Sequence, residues 1–352
     1  MMRNMRARRF AAPLALALSA VTALGATPPP ERLPPTMHAV AIDRTGGPEV
    51  LTVHELPVPT PGPDELLIAL DTAGVGPWDV EVREKLAYYR EKTFPVVLGV
   101  DGAGTVAAVG AAVRDFKVGD AVYAYAWDNP QGGFYAEYVA VPAERVSPIP
   151  RNLTVTQAGA IGTTALTALQ GVDDALHVRA GEALLVHGAA GGVGTLAVQF
   201  AKARGARVLA TVTAPDEIGL VRGLGADVVI DGRHADLTAA ARAFAPPGLD
   251  AVLALAGGDA LEKGIDAVKS GGRIAYPTGV HPVPRDRPGL TVVRYDAVPG
   301  PKEFSRLNAA IEAMTLQVPI AARFPLAQAA AAQERVEAGH VPGKVILEVR
   351  SP

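Results

Sequence analysis

Between residue 37 and about residue 150, apolar positions come in short runs that alternate with polar ones and are cut by glycine and proline. His38–Ile42 and Leu51–Glu55 predict a strand pair turning at Gly46-Gly47-Pro48, and Glu65–Thr72 predicts another strand. Val96–Val109 (VVLGVDGAGTVAAV) reads as strand, turn, strand, and Asp120–Ala124 and Phe134–Val141 add short strands. So many short strands separated by turns predict a compact, barrel-like β domain.

The period changes near residue 154. Gln157–Gln170 and Val193–Arg204 carry apolar residues at helical spacing, and Ile218–Leu224 and Leu261–Val268 predict shorter helices. Between them lie the apolar runs Ala183–His187, Arg207–Val212, Val228–Ile230, Ala251–Ala254, Arg273–Tyr276 and Leu290–Arg294. Strands and helices alternating at this rhythm predict a doubly wound parallel sheet, so the chain is α/β as a whole. Two helices, Lys302–Met314 and Ala327–Ala338, precede a last strand, Lys344–Val349. That strand has no helix and strand after it to complete a βαβ unit, which points to its return to the first domain.

The length of 352 residues suggests two domains at roughly 150 residues each. With 49% hydrophobic and 20% charged residues the chain is of ordinary globular composition, and a net charge of −3 offers no basic face for nucleic acid. The absence of cysteine excludes disulfides, iron–sulfur clusters, thiolate nucleophiles and every zinc site that needs sulfur. Residues 1–36 stand apart. Arg3, Arg6, Arg8 and Arg9 precede an apolar run from Phe10 to Leu24, small residues at Ala23, Gly25 and Ala26, and a stiff PPPERLPP linker over 28–35. This reads as a signal peptide over 1–26, too short in its apolar part to anchor in a membrane, which would make the protein exported. The alternative is that Met37 is the true start and the protein is cytoplasmic.

The chemistry lies after the strand Ala183–His187. It runs into Gly188-Ala189-Ala190-Gly191-Gly192-Val193-Gly194 and straight into a helix. Glycines there permit a tight turn and let backbone N–H groups approach a pyrophosphate, and the helix dipole adds partial positive charge. In this strand–turn–helix context the run reads as a dinucleotide site. An Asp or Glu ending the next strand would bind the ribose 2′-hydroxyl of NAD. Thr211-Val212-Thr213 stands there instead. An uncharged end leaves room for a 2′-phosphate, with Thr213, Arg222 and Arg233 as partners, and so favours NADP(H) while leaving NAD(H) open.

In its order of motifs the chain resembles the zinc-free, quinone oxidoreductase-like branch of the medium-chain dehydrogenase/reductase superfamily. The segments that carry this are Met37-His38-Ala39-Val40 with Gly46–Leu51, Gly119-Asp120-Ala121-Val122, Gly133–Tyr138, Thr164-Ala165, Leu224–Asp227, Gly271-Gly272-Arg273 and Gly343-Lys344. The resemblance implies a GroES-like catalytic domain (37–153 and 319–352) interrupted by a Rossmann domain (154–318). It also implies cofactor contacts from Thr164, Gly188, Ala190, Gly191, Gly192, Val193, Gly194, Gly279 and Lys344, and a homodimer formed by strand pairing. Where zinc-dependent members carry Gly-His-Glu, this chain has Gly99-Val100-Asp101, so no zinc is expected. His38, His54 and His187 read as surface or packing residues.

The resemblance further implies a zinc-independent oxidoreductase that passes hydride to a small quinone, enone or related carbonyl. Gly76-Pro77-Trp78-Asp79 lies where relatives have Asn-Pro-x-Asp. Asp79 is then either a cleft residue in the catalytic machinery or a helix cap, and Trp78 either a wall of the substrate pocket or core. Tyr88 and Tyr89 follow as hydroxyl donors or as packing. A second reading is a catalytically weak NADP(H)-binding sensor or partner protein.

Overall fold

The computed structural model describes residues 33–86 and 93–350. The signal-peptide reading of 1–26, and Tyr88 and Tyr89, lie outside the described residues.

The N-terminal half holds strands β1 (Thr36–Ile42), β2 (Thr52–Pro57), β3 (Glu65–Val75), β4 (Val96–Val97), β5 (Asp101–Val109), β6 (Ala121–Tyr125), β7 (Tyr138–Pro142) and β8 (Val146–Pro148), with helix α1 (Pro77–Lys85) after β3. The next part begins with helices α2 (Val155–Gly159) and α3 (Gly162–Gln170) and continues β9 (Ala183–His187), α4 (Gly192–Ala203), β10 (Arg207–Val212), α5 (Glu217–Gly223), β11 (Val228–Asp231), α6 (Leu237–Phe244), β12 (Leu249–Ala254), α7 (Asp259–Ile265), β13 (Val268–Pro277), β14 (Thr291–Tyr295) and α8 (Pro301–Glu312). Strands β15 (Ile320–Pro325) and β16 (Lys344–Glu348) flank α9 (Ala329–Glu337).

Strands β9 to β14 form one parallel sheet in the order β11-β10-β9-β12-β13-β14. The order reverses between β9 and β12, and the crevice outside the strand ends at such a reversal is where doubly wound sheets take their ligands. The β-rich half builds a seven-stranded sheet, β15-β16-β3-β5-β6-β8 with β7 also on β3, and a small sheet, β2-β1-β4. The last strand does return: β16 pairs antiparallel with β3, with Val345 opposite Val75 and Leu347 opposite Ala73, and parallel with β15. This is a GroES-like sheet beside a Rossmann sheet. One apolar core joins them, because Val100, Ala103, Tyr123, Tyr125 and Ile346 pack with Ile161, Leu166, Val186, Leu196 and Phe200. No helix among the described residues is long and apolar enough to cross a membrane.

Four local departures from the sequence pattern have physical causes. The run Gln157–Gln170 breaks into two helices, where Gly159 packs on Thr72 and Gly162 on the Asp101 side chain; the Asp101 carboxylate then accepts the Thr163 amide at the start of α3 (2.8 Å). Only the second half of Phe134–Val141 is a ladder strand, because Tyr135 gives its amide to Leu98 and its carbonyl to Val40. Helix α6 comes from a short alanine-rich stretch capped by Asp236, whose carboxylate accepts the Ala239 amide (3.0 Å). Strand β15 is half-exposed throughout and shows no clean alternation.

Helix α1 carries Trp78 and Asp79, and a buried arginine fixes it. The Arg83 guanidinium donates to the Gly46 carbonyl (3.0 Å), to Gln333 (3.0 Å) and to both oxygens of Glu337 (3.1 and 3.0 Å) on α9. Its side chain is 1% exposed, whereas Glu337 is 33% exposed. Arg83→Met leaves four acceptor atoms without their donor, and we expect urea denaturation to show a loss of roughly 2–3 kcal/mol. Glu337→Gln should lose less, since water already reaches that carboxylate. An unchanged midpoint for Arg83→Met would mean that something else holds α1.

Candidate functional site

The glycine loop leaves β9 at His187. Gly188 takes φ +85, a left-handed conformation open to glycine, and its amide donates to the Thr211 hydroxyl (3.1 Å). That hydroxyl also meets His187 Nδ1 (2.9 Å). Burial pushes His187 down to about 4, so the ring is neutral near pH 7 and Nδ1 pairs with the Thr211 hydroxyl. His187 is therefore a packing residue that braces the loop, as expected. A Cβ on Gly194 would run into the Gly188 carbonyl oxygen, which fixes glycine there.

The loop can hold a phosphate. Gly191 caps α4 with no side-chain acceptor, and no acidic residue occupies the first turn. The amides of Gly192, Val193 and Gly194 have no acceptor within the helix. The place that a Cβ on Gly191 would take meets only the Gly188 carbonyl oxygen, at 3.8 Å. The protein does not fill that space, so a dinucleotide pyrophosphate fits against bare backbone and a helix N-terminus. Ala190 is buried, and its carbonyl accepts the Gly343 amide (2.8 Å). Thr164 lies beside Gly192 with its methyl group toward it, while its hydroxyl is turned to the Ala160 carbonyl (3.3 Å). Gly279 sits in the turn after β13 with φ +96, at the sheet edge where the loop also lies.

At the end of β10 the structure adds two residues that the sequence reading did not single out. Glu217, the first residue of α5, turns back so that its carboxylate accepts the amides of Thr213 (3.0 Å) and Ala214 (3.2 Å). The expectation of an end without a carboxylate is corrected to this extent: Glu217 is there, 4% exposed and engaged with main chain. His340, from the segment after α9, meets the Thr213 hydroxyl with Nδ1 (3.1 Å) and Arg233 with Nε2 (2.9 Å). Thr213 and Arg233 are thus brought together. Arg222 is not: it is exposed in the last turn of α5, carried away from Thr213 by the length of the helix.

On the other side of the loop a set of buried polar groups closes the cleft. Asp79 is the third residue of α1, and one oxygen accepts the Gly76 amide (2.8 Å) while the other, Oδ1, is buried without a hydrogen-bond partner. Desolvation, assisted by the negative charge of Asp101, pushes Asp79 up to about 7, against the lowering effects of the Gly76 amide and Lys344. Asp101 is fully buried, and its free Oδ1 lies against Gly74 beside the Lys344 ammonium. The Tyr135 hydroxyl lies near Asp79 and Gln333 without closing a well-aligned bond to either, and burial raises its proton affinity.

Lys344 spans the two halves of the site. Its stem packs on Gly192 and its Nζ, 4% exposed as a residue, donates to the Val75 carbonyl (3.2 Å) and stands 5.1 Å over the Trp78 ring. Trp78 in turn packs at 6.2 Å against Trp127 and, half-buried, lies against the shared core. Among the described residues no group of three or more His, Asp or Glu side chains converges to hold a metal ion.

Comparison with known proteins follows this geometry. Residues 62–151 match the family described as alcohol dehydrogenase GroES-like domain, and residues 224–347 the family described as zinc-binding dehydrogenase. A quinone oxidoreductase of Mus musculus is 31% identical over 330 residues, covering 88% of this chain and 97% of its own. An NADPH-dependent alkenal/one oxidoreductase of Arabidopsis thaliana, chloroplastic, is 32% identical over 325 residues, covering 90% and 80%. A solved NAD-dependent alcohol dehydrogenase superposes with a TM-score of 0.82 at 34% identity, over 89% of this chain and 100% of that one. This chain belongs to the quinone oxidoreductase-like branch of the medium-chain dehydrogenase/reductase superfamily.

Proposed function

We propose that the chain is a zinc-independent, NADP(H)-dependent oxidoreductase that reduces a quinone, an enone or a related carbonyl, with 37–153 and 319–352 as its catalytic domain and 154–318 as its cofactor domain. The observation that carries this reading is Lys344. One side chain rests on the phosphate-binding turn at Gly192 and reaches the half-buried Trp78 and the buried Asp101, so the cofactor cradle and the polar pocket share a wall. Relatives named for NADPH-dependent alkenal or quinone reduction support the same substrate class.

In this reading the amides of Gly192, Val193 and Gly194 hold the pyrophosphate, and Thr213 and Arg233 hold the 2′-phosphate. The bound nicotinamide supplies hydride. The protein's own part is to orient, to exclude water and to manage one proton. Trp78 and Trp127 wall the cleft against water. Asp79 is the proton donor, because burial keeps its carboxyl protonated near neutrality and leaves Oδ1 uncommitted. Strand β14, which among the described residues pairs only with β13 at the edge of its sheet, is where a homodimer would form.

The direct test is NADPH and NADH oxidation by the full chain with a panel of quinones, enones and aldehydes, with and without chelator. Acceptor-dependent, chelator-indifferent oxidation, faster with NADPH, is expected. Tight NADPH binding with no turnover across the panel would favour a sensor or partner protein. Arg233→Ala should raise KM for NADPH about tenfold through loss of a charge-assisted bond and leave KM for NADH unchanged.

Asp79 gives a prediction in pH. An ordinary aspartate loses its proton near 3.8, and Asp79 in the fold near 7. Between those values the folded state holds a proton that the unfolded state has released. Stability therefore falls as pH rises through that window and levels off above it. Asp79→Asn keeps an acceptor for the Gly76 amide and should flatten this slope. It should also lower kcat about 100-fold and remove the fall in wild-type kcat as pH rises through 7. An unchanged kcat would return Asp79 to the role of helix cap.

A further inference from the structure

The contacts around His340 have a fixed direction. Arginine carries only donors, so at 2.9 Å Arg233 must donate to His340 Nε2. The ring is then neutral, its proton is on Nδ1, and Nδ1–H donates to the Thr213 hydroxyl (3.1 Å). That hydroxyl donates onward to Glu217 Oε2 (3.4 Å). The result is one chain of hydrogen bonds, from Arg233 through His340 and Thr213 to Glu217, laid across the end of β10. His340 is held in it by backbone. It takes φ 50, uncommon for a residue with a side chain, and Arg335 of α9 clamps the turn by donating to the carbonyls of Gly339 (2.7 Å) and His340 (2.7 Å). His340 thus enters the cofactor sheet from outside it.

We propose that His340 is a specificity-determining residue for the cofactor: protonated, it joins Arg233 in binding the 2′-phosphate of NADP(H), so that the choice of NADPH over NADH strengthens as pH falls. The inference rests on the NADP(H) reading above. A doubly protonated imidazole cannot accept from Arg233, and the two cations then stand side by side with no acceptor between them. A 2′-phosphate dianion is an acceptor for both, and its arrival favours uptake of a proton by the ring. NADH brings no such group. The other charges facing His340 are Glu217, whose Oε1 lies 3.9 Å from Nδ1, and Arg335 on its carbonyl side. Behind Arg233 lie Asp231, which accepts the Arg233 amide (2.9 Å), and His234, which pairs with Asp231 (2.7 Å). Glu217 is already engaged by the Thr213 and Ala214 amides.

The test is calorimetry of the full chain with NADPH, NADH and 2′,5′-ADP between pH 6.5 and 8, in two buffers of different ionisation enthalpy. NADPH and 2′,5′-ADP should bind with net proton uptake and lose about five- to tenfold in affinity over that range, while NADH binds with neither effect. His340→Gln should remove the uptake and the slope. The phosphate's own ionisation, with a pKa near 6, gives the opposite slope and cannot imitate the result. NADPH preference without proton uptake in the wild-type protein, or an unchanged slope in His340→Gln, would overturn the role of His340 and leave the NADP(H) reading standing. Equal affinity for NADPH and NADH at every pH would overturn both.

Discussion

The main-chain bond from the Gly343 amide to the Ala190 carbonyl is the joint on which the site depends. It ties the glycine turn of one sheet to the first residue before the final strand of the other. Because β16 is locked into register against β3, the turn inherits that register, and Lys344 emerges at a fixed place beside Gly192. A shift of one residue in β16 would turn Lys344 to the opposite face of the strand. It would also remove the ammonium that, among the described residues, faces the buried carboxyls of Asp79 and Asp101.

That cation matters because buried charge is tolerated only when partnered. Two carboxyls and one ammonium share a space nearly closed to water, and the imbalance is settled at Asp79, whose carboxyl retains its proton to near neutrality. Asp101 is the better supported of the two: it accepts the Thr163 amide at the start of α3, a helix end that favours negative charge. Asp79 has its one amide from Gly76 but is further from help. The raised proton affinity of Asp79 thus follows first from its burial and then from the negative charge of Asp101 beside it.

The fold was legible because its signals are local. The glycine run between an apolar strand and an amphipathic helix, and the rhythm of strands and helices after it, are set by residues adjacent in sequence. Even the homeless final strand could be assigned to the first sheet by elimination. The site was legible only where it, too, is local. Gly188 to Gly194 act through their own backbone. Thr213 and Arg233 could be singled out because each follows the end of one of two consecutive strands. Glu217 and His340 were missed for a different reason. Glu217 turns back from the next helix onto amides three and four residues before it, while His340 arrives from 127 positions beyond Thr213, and no spacing rule joins so distant a residue. Arg222 shows the converse error: it is near Thr213 in number, but the helix between them carries it off. The pairing of Asp101 with Lys344 could not be read from the sequence, because the two become neighbours only when β16 closes the sheet.

The return of β16 also sets an order in time. Gly343 is made some 150 residues after Ala190, which at usual rates of synthesis is a delay of roughly ten to thirty seconds. Throughout that interval the parallel sheet can assemble, but its phosphate turn lacks its outer brace and its lysine. A nascent chain therefore gains its shape well before it gains the means to hold a dinucleotide. Whatever chaperone or ligand meets it early meets a sheet whose most important loop is still waiting for its last hydrogen bond.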